Sequence, residues 1–413
     1  MRFLTIFTSL LLLGMAANAQ TDTEFWFGAP DVSSEHGNSP WNGAPIYLHL
    51  TAVYATHVTI SRPADPGFTP IEFDLLPMEH QTIQLETILG IDEIENYPSA
   101  DLVAGVQNKG FKIESDPGEI TVYYELDQYW NRDIFPLKGK NALGTDFWVS
   151  TQNNWDNGDY SGTAWSGFVV TATENNTTVT IYQNADWLYF NGPAVRTLVL
   201  DEGETFAFRA QDVDAAEHIN GVHVTSDKNI AITYYDDSMA KNGCRDIHGD
   251  QIVPTELIGQ EYIVMKGYLT SNERIFITAT ENSTEIYVDN ILQTTINAGQ
   301  LYSHQITNNS THVYGSKPVY INHVTGFGCE VGGAQLPTID GCTGSNSVTF
   351  TRTPNALDQF YVNIMVRNDT VDGSPSENQS IHNFELTTGG MTMAIPDTYF
   401  ESVSYTHLRA HET

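Results

Sequence analysis

The 413-residue chain predicts an all-β protein made of tandem antiparallel β-sandwich domains, and three observations carry that reading. Thr, Val, Ile and Tyr are abundant while long helix-forming runs are few, a bias toward pleated, half-buried strands. The stretch Thr171-Ala-Thr-Glu-Asn-Asn-Thr-Thr-Val-Thr-Ile181 returns almost unchanged as Thr278-Ala-Thr-Glu-Asn-Ser-Thr-Glu-Ile-Tyr-Val288. Two β-branched runs around a polar turn read as a β-hairpin. The repeat recurs at roughly 105 to 120 residues, too long for a propeller blade and suited to a sandwich of about seven strands. A propeller-like or solenoidal arrangement, in which units share sheets, is the alternative.

Taken in order, residues Met1 to Ala19 hold one charge at Arg2, an apolar stretch from Phe3 to Met15 and Ala17-Asn-Ala19 before Gln20. This is the pattern of a secretory signal peptide cleaved near Ala19, too short for a comfortable membrane span, and no later run is apolar enough to span. The mature chain is therefore expected to be secreted or displayed at the cell surface. Phe25-Trp-Phe-Gly28, Gly144-Thr-Asp-Phe-Trp-Val-Ser150 and Gln260-Glu-Tyr-Ile-Val264 each open a unit. The units are expected at 20–141, 142–252 and 253–344, with an incomplete further β unit at 345–402. In the first, the early hairpin is the degenerate Thr51 to Ile60. Each unit then closes with a second predicted hairpin, Gly110 to Tyr124, Gly221 to Tyr235 and Thr311 to Ile321. Alternation around Ser226-Asp-Lys puts Val222, Val224, Ile230 and Ile232 on one buried face. Asn242 to Thr255 and Gly328 to Cys342 read as loops rich in functional side chains. The last eleven residues, 403–413, resemble a translated transposase-type sequencing adapter and are set aside as non-native, so that the natural chain is expected to continue past Ser402.

Charge narrows the partners. With 51 acidic against 18 basic residues and a net charge of −33, the chain repels phosphate backbones, which argues against nucleic acid. Dispersed carboxylates read first as solvation of an exported β-protein, with Ca²⁺ binding as the lesser alternative. Three cysteines, Cys244, Cys329 and Cys342, leave at least one unpaired within the chain. Cys329 with Cys342 is the favoured disulfide, flanking a Gly-rich stretch, although Cys244 with either remains open.

No catalytic pattern is complete. Ser238-Met-Ala-Lys241 spells the Ser-x-x-Lys of penicillin-recognising enzymes, but its companion motifs are missing. Cys244, Asp246, His248 and Asp250 alternate and would share one side of a strand, yet residues so spaced are too far apart to chelate one ion tightly. They read as a turn with a structural cysteine. Trp155, Tyr160, Trp165 and Trp187 lie in polar, loop-like segments where rings could stack on a ligand; the competing reading has them stapling loops onto the core.

The Phe-Trp openings at Phe25-Trp26 and Phe147-Trp148, the Thr-Ala-Thr-Glu-Asn repeats, and Cys244 leading through Gln251-Ile-Val-Pro-Thr255 to Gly259-Gln-Glu-Tyr262 form a specific combination. Gln335-Leu-Pro-Thr338, Cys342-Thr-Gly344, Phe350 and Tyr361-Val-Asn-Ile-Met365 complete it. In these motifs the chain resembles the amino-terminal domain family of the IgG Fc-binding mucus protein, including its exported bacterial members. The resemblance implies a non-enzymatic surface adhesion or extracellular interaction module with a protein or glycoprotein partner. Immunoglobulin is a candidate partner that no motif here carries. A carbohydrate-binding module is the second reading and a hydrolase on a β-scaffold the third.

Overall fold

The computed structural model describes residues 21–32, 45–128, 131–158, 164–183, 194–241, 244–270, 272–340, 385–388 and 391–394. Contacts divide the chain into two compact units, Met1–Thr351 and Arg352–Thr413. In the second, the described residues form an antiparallel hairpin, Glu385–Thr388 with Met391–Ala394.

The first unit is almost entirely β and repeats one pairing scheme three times. Its opening set comprises β1 (Glu24–Phe27), β2 (Ile46–Ala52), β3 (Thr56–Ser61), β4 (Ile71–Leu75), β5 (His80–Gln84), β6 (Phe111–Asp116), β7 (Ile120–Gln128) and β8 (Asn131–Leu137). These form two four-stranded sheets, β1-β6-β3-β4 and β8-β7-β2-β5. The middle set comprises β9 (Gly144–Trp148), β10 (Ser166–Ala172), β11 (Thr177–Tyr182), β12 (Val195–Leu200), β13 (Thr205–Arg209), β14 (His223–Lys241) and β15 (Cys244–Ile252). Its order is β12-β11-β14-β10-β13, with β9 and β15 also on β14. The last set comprises β16 (Gly259–Met265), β17 (Arg274–Ala279), β18 (Thr284–Val288), β19 (Ile291–Ile296), β20 (Leu301–Gln305), β21 (Ser310–Gly328) and β22 (Glu330–Gln335). It is ordered β19-β18-β21-β17-β20, with β16 and β22 on β21. The antiparallel sandwich class expected from composition and repeat spacing is the observed one.

Both hairpin expectations need correction. Thr171 to Ile181 spans β10 and β11, which do not pair with each other: β10 pairs with residues 230–236 of β14, and β11 with residues 223–226. The turn is an arch carrying the chain from one layer to the other. Its chemistry is nevertheless the same in both copies. Asn176 and Ser283 hold the left-handed conformation at φ 56° and 58°, and Thr177 and Thr284 donate to the carbonyls of Glu174 and Glu281 at 2.6 and 2.8 Å. The Gly221 to Tyr235 stretch is no hairpin either. Nearly all of it lies in the single 19-residue strand β14, and β21 is equally long and continuous. The first half of β14 serves one layer and the second half the other. Period-2 alternation is the same whether a chain reverses at Ser226-Asp-Lys or continues through it, so only the partners decide.

Between the layers lie the cores. Phe147, Phe168, Val170, Val179, Ile181, Phe206, Phe208, Val224, Ile230 and Ile232 are buried in one cluster, each large side chain contributing about 1.5–3 kcal/mol by leaving water. Phe168 and Phe208 stack at 4.8 Å between ring centroids. The opening set does not close its core alone. Val169, Ala207, Tyr235 and Ile247, on the far faces of β10, β13, β14 and β15, complete the cluster around Phe25, Phe27, Leu48 and Tyr124.

Candidate interaction surface and the polar centre behind it

The closing strands β8, β15 and β22 are three equivalent arms that pack on one another in that order. Residues 242–255 and 328–342 were expected to be loops, and their Gly, Asp and His content explains why. Cys244–Ile252 and Glu330–Gln335 are instead strand, because the Asp side chains perform a service between arms. Asp133 on β8 accepts the Gly249 amide, Asp246 on β15 accepts the Val331 amide, and Asp250 accepts the Gln335 amide, each at 2.8 Å. Carboxylates thus replace a backbone ladder where one arm meets the next. Gly333 keeps this packing close, since a Cβ there would lie 2.1 Å from the His323 carbonyl and 2.7 Å from the His248 ring.

The cost of this arrangement is electrostatic. Burial pushes the Asp133 carboxyl well above the usual range; the Gly249 and Ile134 amides oppose that, and the Asp246 and Asp250 charges add to it. Lys138 answers Asp250 at 2.6 Å, and its amine is lowered by burial against the pull of that carboxylate. His248 is lowered chiefly by burial and hydrogen-bonds the Asn322 amide oxygen at 2.9 Å. Asn322 in turn donates to Ser150 O and Tyr234 Oη.

A second buried pair sits in the middle set, where His218 Nδ1 lies 3.0 Å from Asp236 and Thr151 donates its hydroxyl to the same carboxylate. Burial alone would raise Asp236, but the His218 charge and hydrogen bonds outweigh it and hold the carboxyl low. For His218, burial works downward, and Asp236 with backbone acceptors carries the ring above its ordinary value. His218 is 2% exposed and Asp236 0%, so this His–Asp–Thr group offers no face to a substrate and ties strands together.

The four alternating residues of the Cys244 stretch do lie on one strand. They reach different partners: Cys244 bonds Cys329, while Asp246, His248 and Asp250 meet Val331, Asn322 and Lys138. The favoured disulfide is thereby corrected. Cys244 pairs with Cys329 across 85 residues of sequence, and Cys342 lies outside the described residues. The arms explain the pairing, because β15 begins where the β21–β22 turn arrives. The Ser238-Met-Ala-Lys241 spelling falls in β14, with Ser238 buried at φ 53° beside a register shift. It lacks the helix that its chemistry requires.

Trp155 is 8% exposed and packs edge-on to Phe276 at 5.8 Å. Gln152 folds its loop inward, accepting the Asn154 and Trp155 amides and donating to Trp155 O. This ring is a staple between the middle and last sets, within a cluster that includes Met239, Leu269 and Val331, and it has no open face for a ligand. Trp165 is half-buried, with the Arg209 guanidinium 3.5 Å from its ring centroid. Tyr160 and Trp187 lie outside the described residues.

Sequence reasoning missed the exposed rings. Tyr268 and Phe327, 54% and 65% exposed, come within 6.5 Å on a short parallel pairing of Tyr268–Leu269 with β21, two residues from Cys329. Their signal was available only as an aromatic before Gly328-Cys329. On the outer face of the middle set, Trp148, His223 and Tyr182 stack in a row across three strands, at 4.2 and 5.4 Å.

Among the described residues no helix is long and apolar enough to cross a membrane. A search of curated proteins returns no match to the chain. The family described as IgGFc binding protein matches residues 135–408, which takes in the last three residues of β8, the middle and last sets, and the hairpin beyond. That family consists of extracellular binding modules. On that match, across about two thirds of its length, the chain belongs to the IgGFc binding protein family.

Proposed function

We propose that the chain is an exported, non-catalytic surface module that binds a host or matrix glycoprotein, organised as tandem sandwich repeats with boundaries near residues 141, 252 and 344. Family membership carries this reading, and immunoglobulin is the first partner to try. The exposed Tyr268–Phe327 edge is the contact region best suited to it: aromatic rings supply large contact area at low entropy cost, and the neighbouring disulfide holds the edge rigid. The glycan reading loses support with the burial of Trp155.

The test is biolayer interferometry of the full chain against immobilised immunoglobulin Fc and against a mucin-type glycoprotein, each before and after enzymatic deglycosylation. Saturable binding that falls at least about tenfold with Tyr268→Ser and Phe327→Ser supports the proposal. Binding to neither ligand, or binding untouched by both substitutions, refutes the contact region; turnover of a glycan substrate refutes the non-catalytic assignment.

A further inference from the structure

We propose that Cys244, Cys329 and Glu330 give the cross-link a second state: when the disulfide is reduced, the three side chains take one Zn²⁺ ion in a site of two thiolates and one carboxylate, with solvent as the fourth ligand. The sulfur atoms of Cys244 and Cys329 and a carboxylate oxygen of Glu330 all lie within 4.8 Å of one another, and Cys244 Sγ is 3.8 Å from Glu330 Oε1. Ligand distances of about 2.0–2.3 Å in a tetrahedron space neighbouring donors by roughly 3.5–3.8 Å, so little movement is needed.

A disulfide needs no carboxylate beside it, whereas a Zn²⁺ ion held by two thiolates takes a carboxylate as a further ligand. Sulfur donors select a borderline-soft ion such as Zn²⁺ over Ca²⁺ or Mg²⁺. Access is open, since Cys244 and Cys329 are half-buried and Glu330 is exposed.

The two states exclude each other because they use the same sulfurs. A dithiol donates two electrons and two protons, the S–S bond breaks to two thiols, and the dithiol closes to its own disulfide. Zn²⁺ then displaces both thiol protons to solvent. Either state links β15 to the β21–β22 turn, so the arms stay joined when the covalent bond is lost.

The experiment uses the full chain carrying Cys342→Ser, reduced with a phosphine, freed of reductant under argon and confirmed folded by near-UV circular dichroism. It is titrated with Co²⁺ and then Zn²⁺. The expected result is one equivalent of Co²⁺ with thiolate charge-transfer absorption and tetrahedral visible bands, both erased by Zn²⁺ and absent from the oxidised protein. Cys329→Ser removes the charge-transfer band, and Glu330→Gln, at an exposed position, weakens Co²⁺ binding at least about tenfold. A reduced, folded protein without that band at one equivalent overturns the proposal. So does a band that survives Cys329→Ser, or an affinity unchanged by Glu330→Gln.

Discussion

Lys138, just past the end of β8, and Asp250 on β15 form an ion pair at 2.6 Å, with Asp250 fully buried. The pair fastens the opening set of strands to the middle one, and Asp250 also caps the Gln335 amide of β22. Removing one partner leaves the other charge buried and uncompensated. Lys138→Met is expected to cost about 3–5 kcal/mol, read as a lowered urea midpoint. The double variant Lys138→Met/Asp250→Leu should recover part of that loss; a single variant within about 0.5 kcal/mol of wild type would show that the pair is not structural.

The His218–Asp236 pair fixes a pH window. His218 is raised from 6.5, so its contribution is complete below pH 6.5 and fades as pH climbs through the higher folded value. Asp236 is lowered from 3.8, so its contribution is complete above pH 3.8 and fades as pH falls through the lower folded value. Stability from this pair is therefore greatest between the two ordinary values. In Asp236→Asn, melting temperature measured from pH 6 to pH 9 should lose the part of the alkaline decline that the pair supplies.

Asp31 behaves in the opposite sense. Burial, with the Asp237 charge adding to it, raises its carboxyl to about 7. The unfolded chain releases that proton from about pH 3.8 while the folded one keeps it, so stability falls as pH rises from about 4 to 7 and then levels. Asp31→Asn should flatten that decline and leave the protein more stable than wild type at pH 8. Equal melting curves at pH 8 would remove Asp31 from the account.

Trp155→Ala should cost about 3–5 kcal/mol through the cavity left against Phe276, while binding to a glycoprotein partner, measured well below the melting temperature, stays unchanged. Loss of binding in a variant that still melts cooperatively would return the ring to the ligand.

The opening set, excised as residues 20–141, should fail to fold alone. Its core needs Val169, Ala207, Tyr235 and Ile247 from the following strands, and without them a large apolar face meets water. Dispersed amide proton resonances from the excised piece would contradict this.

The sequence by itself determined what local physics can encode. β-branched alternation specified strands, and the Thr-Glu-Asn turns specified where they end, because each depends on residues within a few positions of one another. Tertiary structure decided the rest. Whether β14 reverses or runs on depends on the strands beside it. Whether Asp and Gly stretches form loops or arms depends on amides supplied by a neighbouring arm. Cys244 finds Cys329 over 85 residues because two arms pack, and Trp155 is buried because Phe276 comes from the last set. Pairing and burial are properties of what lies opposite in space, and a linear pattern of period two is the same for either outcome.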